Sequence, residues 1–216
     1  MPVRHVVYLH GFASSPASSK AAWFARELEA LGIGFSCPDF NQPSFETLTV
    51  TRMVNQTLEA VEAAGEGPVA LVGSSLGGYV AVHAAAKDAG RRVDRLVLLA
   101  PAFDFGGNRL KRLGPHDVET WRRDGRVHVF HYAYSEARPV SFALYEDAAA
   151  WDAFDVQLDI PVLIVHGRRD DVVDPAMVQE WAAGRPNVTL HLVDDGHQLT
   201  DSMPFIWEES RKLFEA

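Results

Sequence analysis

Gly73-Ser74-Ser75-Leu76-Gly77 fits the spacing Gly-x-Ser-x-Gly, directly after one apolar run and directly before an alanine-rich segment of helical period. A chain that turns from strand to helix in so few residues presents one serine at the tip of the turn, in a strained backbone conformation. Glycine two positions before and two after removes the side chains that would collide there. Only Ser75 meets that condition, because Ser74 would place Val72 and Leu76 at the glycine positions. A glycine-rich turn can also cradle phosphate, but the Gly-Lys-Ser/Thr of a P-loop is missing.

A serine hydroxyl is a weak nucleophile until a base takes its proton, and the base is oriented in turn by a carboxylate. The chain has nine histidines, so residue type selects nothing and position must. His197 follows the last apolar run, in Asp194-Asp195-Gly196-His197, and Asp170 follows the preceding one, in His166-Gly167-Arg168-Arg169-Asp170. If the strands run parallel, both loops open at their carboxyl ends, where the active site of an open α/β sheet lies. Asp171 and Asp174 are rivals of Asp170, with helix capping as the alternative role for any of the three. His5 starts a strand, His83 lies within a helix and His191 within a strand. Acyl transfer further requires donors for the oxyanion of the tetrahedral intermediate. The Leu76 N–H, at the start of the helix after Ser75, is one candidate. The other is the Phe12 N–H in His10-Gly11-Phe12, where Gly11 lets backbone and substrate approach closely. This chemistry calls for no cofactor and no metal.

Six short β-rich runs alternate with helical segments: Val6 to Leu9, Ile33 to Cys37, Val69 to Val72, Val93 to Ala100, Pro161 to Val165 and Val188 to Val193. The alternation implies right-handed crossovers and a mainly parallel sheet of about six strands with helices on both faces. Phe24, Leu28 and Leu31 form the apolar face of a first helix that Ser18 or Ser19 caps and Gly32 ends. Val50, Val54, Leu58 and Val61 line a second, after Ser44. Residues of about 102–157 interrupt the rhythm. They are too many for a plain loop and rich in aromatics, so they read as an inserted helical lid. Trp121 and Tyr134 within it are candidate substrate contacts, with Gly11, although packing of the lid's own core explains such aromatics equally well. Arg109, Lys111, Arg112, Arg122, Arg123 and Arg126 form a basic cluster, read either as solvated helix faces or as attracting acidic substrates.

The chain has 216 residues, 47% of them hydrophobic and 23% charged, with 20 Lys and Arg against 29 Asp and Glu. A formal charge of −9 argues against a general nucleic-acid or anionic-membrane partner. The single cysteine, Cys37, excludes a disulfide framework and any multi-cysteine metal site and reads as a small buried apolar residue. No stretch approaches the roughly 20 apolar residues of a membrane helix. With no basic, apolar leader before the first strand, the expectation is a cytoplasmic protein acting on a small ester or acyl substrate.

His10-Gly11-Phe12, Gly73-Ser74-Ser75-Leu76-Gly77-Gly78, Gly167-x-x-Asp170-x-x-Val173 and Gly196-His197 together resemble the α/β-hydrolase superfamily over nearly the whole chain outside the insertion. Tyr8 to Phe12 with Ser14-Ser15-Pro16 and Lys20-Ala21 is similar to small bacterial YqiA-type esterases. Leu163 to Pro175 is similar to the acyl-protein and acyl-glucuronide esterases of the ABHD group. The resemblance implies a serine carboxylesterase with Ser75 as nucleophile, His197 as base and Asp170 as its partner, on one domain spanning 1–216. A thioesterase would use the same triad, and a catalytically silent, ligand-binding hydrolase fold is the alternative from another class. The chain departs from the family by lacking a first antiparallel strand pair and by carrying Asp174 before Pro175.

Overall fold

Strand β1 (His5–Leu9) sends Val6 and Tyr8 to one face and Val7 and Leu9 to the other, and all four are fully buried. A strand covered on both sides reads as a continuous apolar run, and that run is the signal that locates it in the sequence. The computed structural model describes residues 1–106 and 118–216. Beside β1 lie β2 (Gly34–Ser36), β3 (Val69–Ser74) and β4 (Val93–Leu99), and further along the chain β7 (Val162–Gly167) and β8 (Val188–Val193). Between them β5 (Arg126–His131) and β6 (Glu136–Ser141) form a separate antiparallel hairpin. The main sheet has six strands in the order β2-β1-β3-β4-β7-β8, every neighbouring pair parallel. The six expected strands are therefore all present.

Helices α1 (Ser19–Ala30) and α7 (Met203–Glu215) cover one face through Phe24, Leu28, Ile206 and Phe214. Helices α2 (Val50–Ala63), α3 (Leu76–Lys87) and α6 (Pro175–Ala182) cover the other through residues such as Val54, Val80 and Trp181. Ser18 caps α1, accepting from the Ala21 N–H, and Thr49 caps α2, accepting from the Arg52 N–H. Asp174 caps α6 with Pro175 in its first turn, so the unusual Asp-Pro pair is a helix start of high local propensity.

Two expectations are corrected. Leu31 is not part of the buried face of α1 but 41% exposed. The helix stops one residue earlier, where Gly32 adopts φ +68 and the Gly32 and Ile33 N–H groups bond back to Glu29 and Leu28. This Schellman closure turns the chain so that Ile33 packs against the core in place of Leu31. The insertion, in turn, is not wholly helical. It carries α4 (Val118–Asp124) and α5 (Ala143–Ala148), but the hairpin lies between them. The period-2 burial of Val127, Val129 and His131 was legible in Arg126 to His131 and competes successfully with helix formation. Arg109, Lys111 and Arg112 lie outside the described residues.

This packing predicts a contrast between two leucines four positions or fewer apart. Leu28→Ala should lower unfolding free energy by about 2–5 kcal/mol, and Leu31→Ala by less than about 0.5 kcal/mol, as read from urea denaturation.

Candidate active site

From β1 the chain passes to β2 on one side and then to β3 on the other, so the loops after β1 and β3 diverge at the carboxyl edge. A crevice opens at such a switch point. Ser75 stands at its lip, between β3 and α3, with φ 54 and ψ −115. The flanking glycines are required by contact as well as by conformation. A Cβ on Gly73 would overlap the Gly77 carbonyl, and one on Gly77 would overlap the Leu9 carbonyl of β1. The Ser75 backbone is held on both sides, its N–H donating to Leu99 O at 2.9 Å and its carbonyl accepting the Gly78 and Ala102 N–H groups.

The structure brings Ser75, His197 and Asp170 together from three separate loops. His197 Nε2 lies 3.1 Å from Ser75 Oγ, and His197 Nδ1 lies 2.8 Å from Asp170 Oδ2. An ionised carboxylate only accepts, so Nδ1 carries the proton and Nε2 faces the hydroxyl as an acceptor. Asp170 Oδ1 accepts the Val172 and Val173 N–H groups, each at 2.9 Å. Burial raises the Asp170 pKa, but hydrogen bonds from His166, His197 and the Val173 N–H outweigh it and hold the carboxyl well below the usual carboxylate range. Its rivals serve elsewhere: Asp174 is the α6 cap, and Asp171 is exposed.

His166 carries a role that sequence reasoning missed. Fully buried at the end of β7, it places Nε2 3.2 Å from Asp170 Oδ2 and 3.1 Å from the Val173 carbonyl. Both neighbours accept, so Nε2 is protonated and braces the same carboxylate oxygen that His197 Nδ1 contacts. Its position four residues before Asp170 was the available signal. Asp195 is a second such residue. Its carboxylate takes the N–H groups of Gly196, Asp201 and Ser202 and the Ser202 hydroxyl, tying the His197 loop to the start of α7.

Gly11, Phe12, Ser75, Leu76 and His197 line a cavity of about 560 Å³. Among the described residues the Phe12 and Leu76 N–H groups donate to no protein acceptor. The hairpin contributes His128, Val129, Phe130 and Tyr132 to the same cavity. It is fastened to the loop after β1 by the Tyr132 N–H on the Ala13 carbonyl and by His131 bonded to Asn41, whose amide donates to the Ser14 carbonyl. Trp121 and Tyr134 are not among the lining residues. Trp121 is buried in the insertion's own core, its Nε1–H on the Val140 carbonyl and its ring edge-on to Phe142. Tyr134 is 43% exposed and stacks on His131. Of the described basic residues, Arg122, Arg123 and Arg126 pair with Glu119, Asp124 and Glu46 on exposed surfaces. Cys37 is only half-buried, and burial pushes its thiol up to about 12.

A parallel sheet with a serine elbow after β3 and carboxylate and histidine loops after β7 and β8 defines an α/β-hydrolase fold. The chain belongs to the uncharacterised protein family UPF0227, whose model matches residues 5–211. It is 25% identical over 179 residues to the mitochondrial palmitoyl-protein thioesterase ABHD10 of Bos taurus. That match takes in 78% of this chain and spans 57% of the relative's length. Among solved structures, a protein of Agrobacterium vitis S4 provisionally named a hydrolase superposes with a TM-score of 0.81 at 25% identity, over 97% of this chain and 85% of its own. Est1E from Butyrivibrio proteoclasticus, solved with ferulic acid, gives a TM-score of 0.84 at 18% identity over 98% of this chain and 88% of its own. No helix among the described residues is long and apolar enough to cross a membrane.

The depressed Asp170 pKa has a thermodynamic consequence. The folded chain holds the carboxylate ionised below its ordinary value of 3.8, so this stabilisation is fully present above that pH and is lost as pH falls toward the folded value. As pH falls below about 4, wild type should therefore lose stability relative to Asp170→Asn, read as converging urea midpoints.

Proposed function

We propose that the protein is a serine hydrolase that cleaves acyl esters through a covalent acyl-enzyme. The observation that carries the reading is the continuous hydrogen-bonded line from Ser75 Oγ to His197 at 3.1 Å and on to Asp170 at 2.8 Å. In this scheme Ser75 Oγ attacks the acyl carbon while His197 Nε2 takes its proton. Asp170 holds the imidazole's orientation and stabilises the imidazolium that forms. The free N–H groups of Phe12 and Leu76 receive the oxyanion, aided by the positive end of α3. His197 then passes its proton to the leaving oxygen, and a water deprotonated by the same nitrogen releases the acid.

The insertion acts as a lid in this reading. Phe12, Phe105, Val129 and Phe130 give the cavity an apolar limb suited to the acyl chain. A thioester in place of the ester is a second reading, supported by the thioesterase name of the curated relative, of whose length this chain spans 57%. The triad serves either bond, because attack occurs at the same acyl carbon.

A fluorophosphonate should label Ser75 and abolish hydrolysis of p-nitrophenyl butyrate. Ser75→Ala should lower kcat by at least about 10³-fold with folding intact. A loss of less than about tenfold would refute the nucleophile assignment. Oxyester and thioester substrates of equal acyl length, compared by kcat/KM, separate the two readings.

A further inference from the structure

The cavity at Ser75 has a second limb of opposite character. It crosses the carboxyl edge of β1 and β3 toward the start of α1 and is lined by Tyr8, Ser18, Ser19, Lys20, Ser74 and Gln198. Lys20 is the most informative of these. Its Nζ donates to the Gln198 carbonyl at 2.8 Å and to Gln198 Oε1 at 3.3 Å, and it makes no ion pair among the described residues. Burial draws its pKa down, while Asp195 and Asp170 hold it up from a distance. Those two carboxylates are already committed, Asp170 to His197, His166 and the Val172 and Val173 N–H groups, Asp195 to the start of α7. The lysine is thus a part-buried cation at the cavity wall, held directly by Gln198 and with no carboxylate in ion-pair contact among the described residues.

Three further features point the same way. Helix α1 has twelve residues and no acid in its first turn, so its positive end is not neutralised locally. Ser74, beside the nucleophile, is nearly buried and lines the limb. Tyr8, with 0% of its surface exposed, has a hydroxyl left without a well-formed hydrogen bond, although the Ser74 hydroxyl lies within reach. A buried hydroxyl of this kind costs free energy unless something completes it. Burial also raises its pKa, which keeps it a neutral donor.

We infer that this limb is a leaving-group subsite for an anionic moiety, a carboxylate or a phosphate, held by Lys20 Nζ with the Tyr8 and Ser74 hydroxyls. It serves the leaving group because Lys20 is fastened to Gln198, the residue after His197, and His197 is the group that protonates the departing oxygen. The apolar limb on the hairpin side is then left for the acyl chain. The inference rests on the serine-hydrolase reading above and gives it a substrate class: acyl esters whose alcohol or thiol portion is acidic. A purely structural Lys20, merely tethering the His197 loop, would treat all substrates alike.

The test is a comparison of kcat/KM for butyrate esters of 1-propanol, 3-hydroxypropanoate and 3-hydroxypropyl phosphate, followed by pH-stat titration. At least one charged ester should exceed the neutral one by about tenfold or more, and which one does so distinguishes carboxylate from phosphate. Lys20→Met should bring the charged-to-neutral ratio to within about twofold of one, Tyr8→Phe should lower it partway, and Lys20→Arg should retain it. Should Lys20→Met fail to fold, Lys20→Gln, which still donates to Gln198, reads the same ratio. A wild-type ratio below about two, or an unchanged ratio in the lysine variant, overturns the subsite while leaving the hydrolase reading in place. Absence of turnover on all three esters together with an unlabelled Ser75 overturns both.

Discussion

Ser75 holds a positive φ at the end of β3, and the rest of the site is arranged around that constraint. A non-glycine residue in this region costs about 1–3 kcal/mol and persists only where its surroundings over-determine it. Here they do so in three ways. The Leu99 carbonyl holds the serine N–H, the Ala102 and Gly78 N–H groups hold its carbonyl, and α3 packs so closely on β1 that Gly77 admits no side chain. The fully buried neighbours Val72, Leu98 and Val80 make this part of the molecule resistant to relaxation. A relaxed turn would withdraw the hydroxyl from His197 and re-aim the Leu76 N–H.

The acid arm is built by a different principle. Asp170 is buried, which by itself would favour the neutral carboxyl, yet it is surrounded by donors: two backbone N–H groups, His166 and His197. Such pre-oriented dipoles do not reorganise when the neighbouring imidazole acquires charge, and this is what makes a buried carboxylate effective as a partner. His166 and Asp195 act at one remove. One braces the carboxylate, and the other anchors the loop that carries His197.

The cavity joins two environments that the sheet keeps apart. On one face the hairpin supplies aromatic surface, fastened to the loop after β1 through Ala13, Ser14 and Asn41. On the other, the first turn of α1 brings Lys20 beneath the His197 loop. Ser75 lies where they meet, so in the proposed reaction chemistry is common to both limbs while recognition is divided between them. The basic residues of the insertion that the structure describes take part in neither, since they are paired at the surface.

Much of this architecture is local and therefore legible in the chain. The four inner strands β1, β3, β4 and β7 are buried, nearly continuous apolar runs, the elbow is a five-residue motif, and Asp170 and His197 each follow their strand within a few positions, so element order alone brings them to one edge. The Phe12 loop was readable for the same reason. Other features depend on contacts between distant segments. Leu31 has the periodicity of a core residue but falls past a helix end that Gly32 sets, and the vacated place goes to Ile33. Trp121 has the composition of a substrate contact, and only the docking of α4 on the hairpin turns it into core. His166 and Lys20 are ordinary in sequence; their significance comes from Asp170 and Gln198, four and 178 positions away. The sequence by itself determined the fold class and the three residues in line, because backbone periodicity and strand order are properties of near neighbours. The tertiary structure alone decided which side chains line the cavity and which charges go unpaired, because burial and electrostatic pairing are settled by what the rest of the chain brings alongside.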